Sequence, residues 1–495
     1  MAHTDSNLGT LKHTTKRAEL VFIPSPGVGH ITALAQLAQL LVARDDNLWI
    51  TILIMHLPHG DANYTNHTTA LASTSSALSD RVKFVDLPPN DAAVDPAAKD
   101  VVSFFMYSYK SHIRDAVSKL VDQSPFLSGF LVDMFCTTFI DVAVEFGLPS
   151  YVFYTSGAGC LNLTLYFQNL RDAQNVPVSD FNNPVADWKI EGFANSIPGK
   201  VLPRPVLNPY QCDGFLNFVQ NYRNAKGIVI NTFPELESAT IEHLSKGGNP
   251  PVYPVGPILE LKRGGGDVKD KGRSSDIMNW LNEQPPSSVV FLCFGSNGCF
   301  NEKQVKQIAE ALERAGYRFL WSLRRPPPKG TVSFPLDYEN PSDVLPEGFL
   351  ERTTGLGKII GWAPQAAILA HSAVGGFVSH CGWNSILESL WFGVPIATWP
   401  IDGEQQLNAF EMVKEWGLGV DIKMEYSKEF GVDEDDVITV SSDEIEKGLK
   451  GLMEDQGGEV RERVRKLSDK CREALAEGGS ADIALNGFIT DAIRS

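Results

Sequence analysis

Residues 362–405 read WAPQAAILAHSAVGGFVSHCGWNSILESLWFGVPIATWPIDGEQ, and this stretch decides the fold. From 373 to 380 it is an apolar strand with two glycines that ends at His380. Cys381 and Gly382 then turn the chain into a helix beginning near 383–385, with Leu387, Leu390 and Trp391 facing a core and Gly393 and Pro395 stopping it. A strand that turns through glycine into a helix is a building unit of α/β folds. It leaves free amides at the positive end of the helix dipole, where a phosphate binds. His380, Asn384 and Ser385 would add donors to a diphosphate. Glu388 lies one helical turn from Asn384 on the same face, placed to accept from two ribose hydroxyls. The next short strand ends at Trp399 and Pro400, and its loop carries Asp402, Glu404, Gln405 and Gln406, side chains suited to the hydroxyls of a hexose. Taken alone, such a turn is common in α/β proteins, and Glu404 and Gln405 alone would be an ordinary solvated loop.

The same alternation continues on both sides. Upstream, SSVVFLCF is a strand, GSNG a turn, and 302–315 a helix with Val305, Ile308, Ala309 and Leu312 on one face; 319–323 is the next strand. The stretch RRPPPKGTVSFPLDYENPSD reads as a surface excursion. PVGPILELKRGGGDVKDKG is rich in glycine, proline and charge and reads as a linker. Before it, apolar runs at 19–24, 48–57, 82–87, 130–133 and 150–154 alternate with helix-compatible stretches, as in a parallel sheet covered on both faces. The expected organisation is a tail over 1–17, an α/β domain over 18–255, a linker over 256–275 and a second α/β domain over 276–479, the two facing each other across a cleft. A final helix spans 480–495, with Ser480 as N-cap and Leu485, Phe488, Ile489 and Ala492 as its apolar face.

A chain of 495 residues is long enough for two domains, and 43% hydrophobic against 21% charged residues is a globular composition. The net charge of −17 repels nucleic acid and anionic lipid, so neither is expected as a partner. Seven cysteines form no CxxC pair and no metal-ligand spacing, which fits reduced thiols in the cytosol. The first residues carry no secretory signal, and the apolar run over 31–42 is too short to cross a bilayer. A cytoplasmic monomer without stable membrane insertion is expected. The sequons at Asn63, Asn66 and Asn162 would then lie in the wrong compartment for glycosylation.

His30 follows the first strand in PGVGH, ahead of a helix expected over 31–43. The glycines, Gly29 among them, allow backbone to approach a ligand, and strand ends in open α/β sheets face the cleft. A dinucleotide fingerprint would need a third glycine where Thr32 stands. Taken alone, His30 is as readily an ordinary polar residue. Asp133 ends the strand GFLVD and either points into the same cleft, caps a helix or lies at the surface. Phe104, Phe105, Phe135, Tyr154 and Pro203 are candidates to line an apolar acceptor pocket, although each reads singly as core.

The 44 residues from 362 to 405 closely resemble the signature box of plant secondary-product UDP-glycosyltransferases, and the similarity extends from PSPGVGH through LVDMFCT to the final helix. Ile386 and Gly403 depart from the commonest residues of the box, but neither position carries a polar contact. The resemblance implies a GT-B fold of two Rossmann-like domains and an inverting transfer of glucose from UDP-glucose to a small lipophilic acceptor, of the flavonoid, phenolic or terpenoid type. It implies that Trp362 stacks on uracil, Ala363 contacts it through backbone, and Gln365 and Glu388 hold the ribose. Ser296, His380, Asn384 and Ser385 would bind the diphosphate, and Trp383, Glu404 and Gln405 the sugar. His30 would be the general base and Asp133 would orient it.

No cofactor or metal is expected. The one Asp-x-Asp match, Asp433-Glu434-Asp435, reads as a solvated loop outside the box. Two other readings compete: a nucleotide-sugar epimerase or hydrolase on this architecture, which would turn over UDP-sugar without an acceptor, and a non-catalytic binding relative, which retention of His30, Glu404 and Gln405 argues against.

Overall fold

The computed structural model describes residues 17–57, 62–90, 101–246, 248–261, 268–328, 335–427 and 438–493. Two open sheets dominate it. The first contains β1 (Ala18–Ile23), β2 (Leu48–Ile54), β3 (Val82–Asp86), β4 (Leu127–Asp133), β5 (Ser150–Tyr154), β6 (Gly227–Ile230) and β7 (Val252–Pro254). The second contains β8 (Val289–Cys293), β9 (Arg318–Ser322), β10 (Gly357–Ile360), β11 (Val374–Ser379), β12 (Ile396–Thr398) and β13 (Gly419–Asp421). Their spatial orders are β3-β2-β1-β4-β5-β6-β7 and β10-β9-β8-β11-β12-β13. Every pairing in both is parallel. Helices cover both faces of a parallel sheet, so its inner strands are buried along their length and largely apolar. AELVFI of β1 and VVFLC of β8 are accordingly buried at every position.

In each sheet the chain lays its first three strands outward in one direction and then restarts on the other side of the first. The order reverses between β1 and β4 and again between β8 and β11, and ligands of open α/β sheets bind at such switch points. Val21 lies opposite Thr51 on one side and Phe130 on the other, while Phe291 lies between Leu320 and Phe377.

The linker is shorter than the sequence suggested. Helix Val268–Asn282 occupies its second part, and 262–267 lie outside the described residues, as do 1–16 of the tail. The charges and the single glycine of DVKDKG resemble linker composition, yet the helix goes on to Ile277 and Leu281, both buried. The surface excursion forms a two-residue antiparallel ribbon, Arg324–Arg325 against Leu336–Asp337. One apolar cluster contains residues of both sheets and runs through Trp383, Phe410 and Met412.

Four helices matter below: α1 (Val28–Arg44), α2 (Ala158–Asp172), α3 (Trp383–Phe392) and α4 (Ser480–Ile493). α4 packs against the first sheet. Its Phe488 ring meets Tyr151 edge-on at 5.1 Å and lies 5.7 Å from Tyr253. Tyr151 donates to the Asp491 carbonyl at 2.9 Å, and Arg44 pairs with Asp482. All seven cysteines are buried, and no helix among the described residues is long and apolar enough to cross a membrane.

Candidate active site

The first switch point is built by the end of β1 and the end of β4. Gly27 is the N-cap of α1, in extended conformation, so the helix begins at Val28 and His30 lies in its first turn rather than ahead of it. The two glycines of PGVGH obscured this, because glycine disfavours helix interiors yet is well tolerated at an N-cap. Asp133, the last residue of β4, is fully buried. Its Oδ2 accepts from His30 Nδ1 at 2.8 Å, while its Oδ1 accepts from the Ser25 hydroxyl and from the Phe135 amide at 3.1 Å. The Thr155 hydroxyl also lies 3.1 Å from His30 Nδ1. Burial of the ring opposes its charged form. The carboxylate of Asp133, by charge and hydrogen bond, and Glu404 by charge outweigh that, and the His30 pKa stands above the ordinary 6.5.

The second switch point holds a histidine of the opposite kind. A Cβ at Gly295 or at Gly382 would come within 2.5 Å of His380 Nε2, so the ring fits only because both neighbours lack a side chain. His380 Nδ1 is buried with no hydrogen-bond partner among the described residues. Burial drives its pKa down to about 4, so the ring is neutral at physiological pH. Cys381 then takes a left-handed φ of 60° and Gly382 caps α3 without a side chain. The first-turn amides of α3 are therefore uncapped, the arrangement that receives an anion. Ser296 lies in the turn after β8.

Further along α3, one amide organises two of the expected contacts. Gln365 Nε2 donates to Ser385 Oγ and to Glu388 Oε2, both at 2.8 Å. Burial raises the Glu388 pKa to about 7; Gln365 opposes the shift and the charge of Glu260 adds to it. Trp362 is 47% exposed, with Ala363 beside it; the Arg324 guanidinium lies 5.1 Å from its ring and its backbone N–H bonds Asp337 at 3.0 Å. Asn384 reaches the other half, its Nδ2 3.5 Å from the Gly29 carbonyl, while its Oδ1 is buried without a partner among the described residues.

Trp383 departs from a simple sugar contact. Its ring is buried against Gly157, and its indole N–H donates to the Asn231 carbonyl of the first half at 2.7 Å. The ring bolts the halves together, which leaves its backbone and ring edge for a ligand. Gln405 is likewise engaged: its Oε1 accepts from the Ile401 and Asp402 amides at 2.9 and 3.0 Å, shaping the loop beneath Glu404. Ser156 donates to Glu404 at 3.3 Å.

A cavity of about 180 Å³ joins the two switch points. His30 and Gly29 lie on its wall together with Asn384, Trp383 and Glu404, and Phe135 and Pro203 form apolar parts of it. Three expected lining residues are not there. Tyr154 is fully buried, its hydroxyl on Cys160 Sγ at 3.3 Å and its ring edge-on to Tyr222 at 6.0 Å. Phe105 is core, packed on Tyr109 at 5.2 Å, and Phe104 on the same helix is 48% exposed. Adjacent helical residues point in different directions, so a pair of phenylalanines cannot line one wall. In their place stand Met134, Thr155, Pro205 and Phe215. Met134 and Thr155 each follow the last residue of a strand next to or beyond the switch, a signal the strand-end rule supplies; Phe215, on helix Pro209–Gln220, gave none.

Two parallel α/β sheets with facing switch points joined by a cleft define the GT-B fold. Comparison with known proteins agrees. The family described as UDP-glucoronosyl and UDP-glucosyl transferase matches residues 236–468. UDP-glucose flavonoid 3-O-glucosyltransferase 6 of Fragaria ananassa is 52% identical over 483 residues, covering 96% of this chain and 98% of that protein. A Siraitia grosvenorii transferase solved with UDP has a TM-score of 0.85 at 44% identity, covering 96% of this chain and 100% of that one. The Medicago truncatula enzyme UGT71G1, solved with UDP-glucose, has a TM-score of 0.83 at 38% identity, covering 97% of this chain and 99% of that one. The chain belongs to this family of UDP-sugar-dependent glycosyltransferases, among its plant members.

Proposed function

We propose that the protein transfers glucose from UDP-glucose to a hydroxyl of a small lipophilic acceptor, of the flavonoid or other phenolic type, with inversion to a β-O-glucoside. The observation that carries this reading is the His30–Asp133 pair on the wall of a cavity that also includes Glu404 and the first turn of α3. With Nδ1–H donated to Asp133, the lone pair of the ring is on Nε2. That nitrogen takes the acceptor hydroxyl proton as the oxygen bonds to the anomeric carbon, and Asp133 stabilises the imidazolium formed. The bond to the UDP oxygen breaks with its electrons leaving on the diphosphate. Attack from the face opposite the diphosphate turns an α-linked donor into a β-glucoside.

The departing charge meets the first-turn amides of α3, neutral His380, Asn384, Ser385 and Ser296. This is positive potential without a metal ion, so catalysis proceeds without one. Asp433-Glu434-Asp435 lies outside the described residues, and no cluster of His, Cys, Asp or Glu among the described residues suits a metal. Trp362 and Ala363 hold the uracil, Gln365 and Glu388 the ribose, and Glu404, Gln405 and the Trp383 backbone the hexose. The names of relatives such as the Fragaria enzyme support glucose and a flavonoid-class acceptor. We take the protein to be cytoplasmic and to act as a monomer.

The test is an acceptor panel of flavonols, simple phenols and terpenoid alcohols with UDP-glucose, read by product mass and anomeric coupling. Acceptor-dependent β-glucoside, unchanged after exhaustive EDTA, is expected. Release of free glucose irrespective of acceptor would overturn the reading, and activity lost to EDTA and restored by Mg²⁺ would overturn its metal-free part.

A further inference from the structure

We propose that Arg204 is a positioning residue for the transfer: it fastens the proline wall of the acceptor cavity to the loop that carries Glu404. The inference rests on the reading above, in which that wall meets the acceptor and that loop the sugar.

Arg204 stands between Pro203 and Pro205, both on the cavity wall, and across from it lie Gly403 and Glu404 of the second half. Two bonds join these segments. The Arg204 guanidinium donates from Nη1 to Asp402 Oδ1 at 2.8 Å, and the Arg204 amide donates to the Gly403 carbonyl at 2.8 Å. The backbone bond fixes the separation of the two segments, while the charged one fixes the direction in which the loop lies.

The two segments differ in what they can do alone. Ring closure at Pro203 and Pro205 locks φ on both sides of Arg204, so the wall is stiff. The loop turns through Gly403 at φ +71°, where an added Cβ would meet nothing within 4 Å, so local packing does not pin it. Gln405 shapes it from beneath through the amides of Ile401 and Asp402, and Ser156 holds Glu404 by a longer bond of 3.3 Å. Arg204 thus transfers the stiffness of the wall to the loop. Acceptor and sugar are held on separate halves, so the wall and the loop must keep this spacing for both to bind at once, and its loss is felt in the KM of both substrates.

The pair is part-exposed, with 27% and 40% of the two side chains accessible, so its strength is moderate and salt-dependent. Steady-state kinetics on R204A, R204K, D402N and the R204A/D402N double variant test it. R204A is expected to raise KM for acceptor and for UDP-glucose together by about fivefold, with kcat changed less than about twofold. R204K should restore most of the loss, and the double variant should be no worse than the poorer single one. The wild-type acceptor KM should rise as NaCl is brought to about 0.5 M, while that of R204A stays flat. A melting curve for each variant separates unfolding from loss of positioning, and R204K against D402N decides the matter if R204A does not fold. Unchanged KM values, or additive losses in the double variant, would overturn this inference alone. A wild-type enzyme that forms no glucoside with any acceptor would overturn it together with the reading it rests on.

Discussion

Each half of the molecule brings a histidine to the gap between its first and fourth strands, and the two are opposite in kind. His30 has a carboxylate on Nδ1 and a pKa above 6.5; His380 has no partner on Nδ1 among the described residues, glycine backbone on either side, and a pKa near 4. The fold supplies the same kind of place twice, and the neighbours decide the chemistry. A paired ring can gain and hold a proton, which suits a base. A ring that stays neutral over the working range suits a hydrogen bond to a ligand that is already anionic.

The largest expected effect is that of His30→Ala, which should lower kcat by about 10²–10⁴-fold while leaving UDP-glucose affinity nearly unchanged. Retention of more than about a tenth of kcat would end the assignment of His30 as base. His380→Ala should act the other way round, weakening UDP binding by about tenfold or more, the size of a lost bond to a charged group. Isothermal titration with UDP checks it, and unaltered affinity would remove His380 from the donor site.

The pH dependence should separate the two further. kcat requires neutral His30, so it falls as pH drops through a value above 6.5, and Asp133→Asn should move that limb downward. UDP-glucose affinity should instead rise as pH passes about 7, because Glu388 accepts from ribose hydroxyls better as a carboxylate; Glu388→Gln should flatten it. Stability should respond in opposite senses. Protonated His30 favours the fold below 6.5, and that contribution is lost as pH rises through its native pKa. His380 stays neutral when folded but protonates when unfolded, so it destabilises as pH falls from 6.5 towards about 4. Melting temperatures of His30→Gln and His380→Gln across this range should lose one limb each; identical profiles would contradict the contrast. The smallest effect is expected from Ser25→Ala. It removes one donor to Asp133 while the Phe135 amide remains, for about 1 kcal/mol or fivefold in kcat.

Much of this was legible in the sequence because it resides in local pattern. Residues 362–405 announce strand, turn and helix by periodicity and glycine placement, and the apolar runs of both sheets read as buried parallel strands. What was not legible depends on partners far along the chain. Ser25 meets Asp133 across 108 positions and Arg204 meets Asp402 across 198, and no spacing rule encodes such pairs. Phe105 and Tyr154 were misplaced because an aromatic side chain suits a core and a pocket equally, and only the helix phase and the sheet face distinguish them. The indole of Trp383 likewise carries no mark that its N–H belongs to Asn231.

The return of α4 to the first sheet has a mechanical consequence. The chain crosses between the halves twice, once after β7 and once ahead of Ser480, and the second crossing is anchored by Phe488 and Asp482. A body attached by one strap can twist and swing; one attached by two straps behaves as a door, freest to turn about the line through its hinges. Opening to release UDP and closing on the next donor would then retrace a single arc, bringing the same surfaces back into register at each turnover.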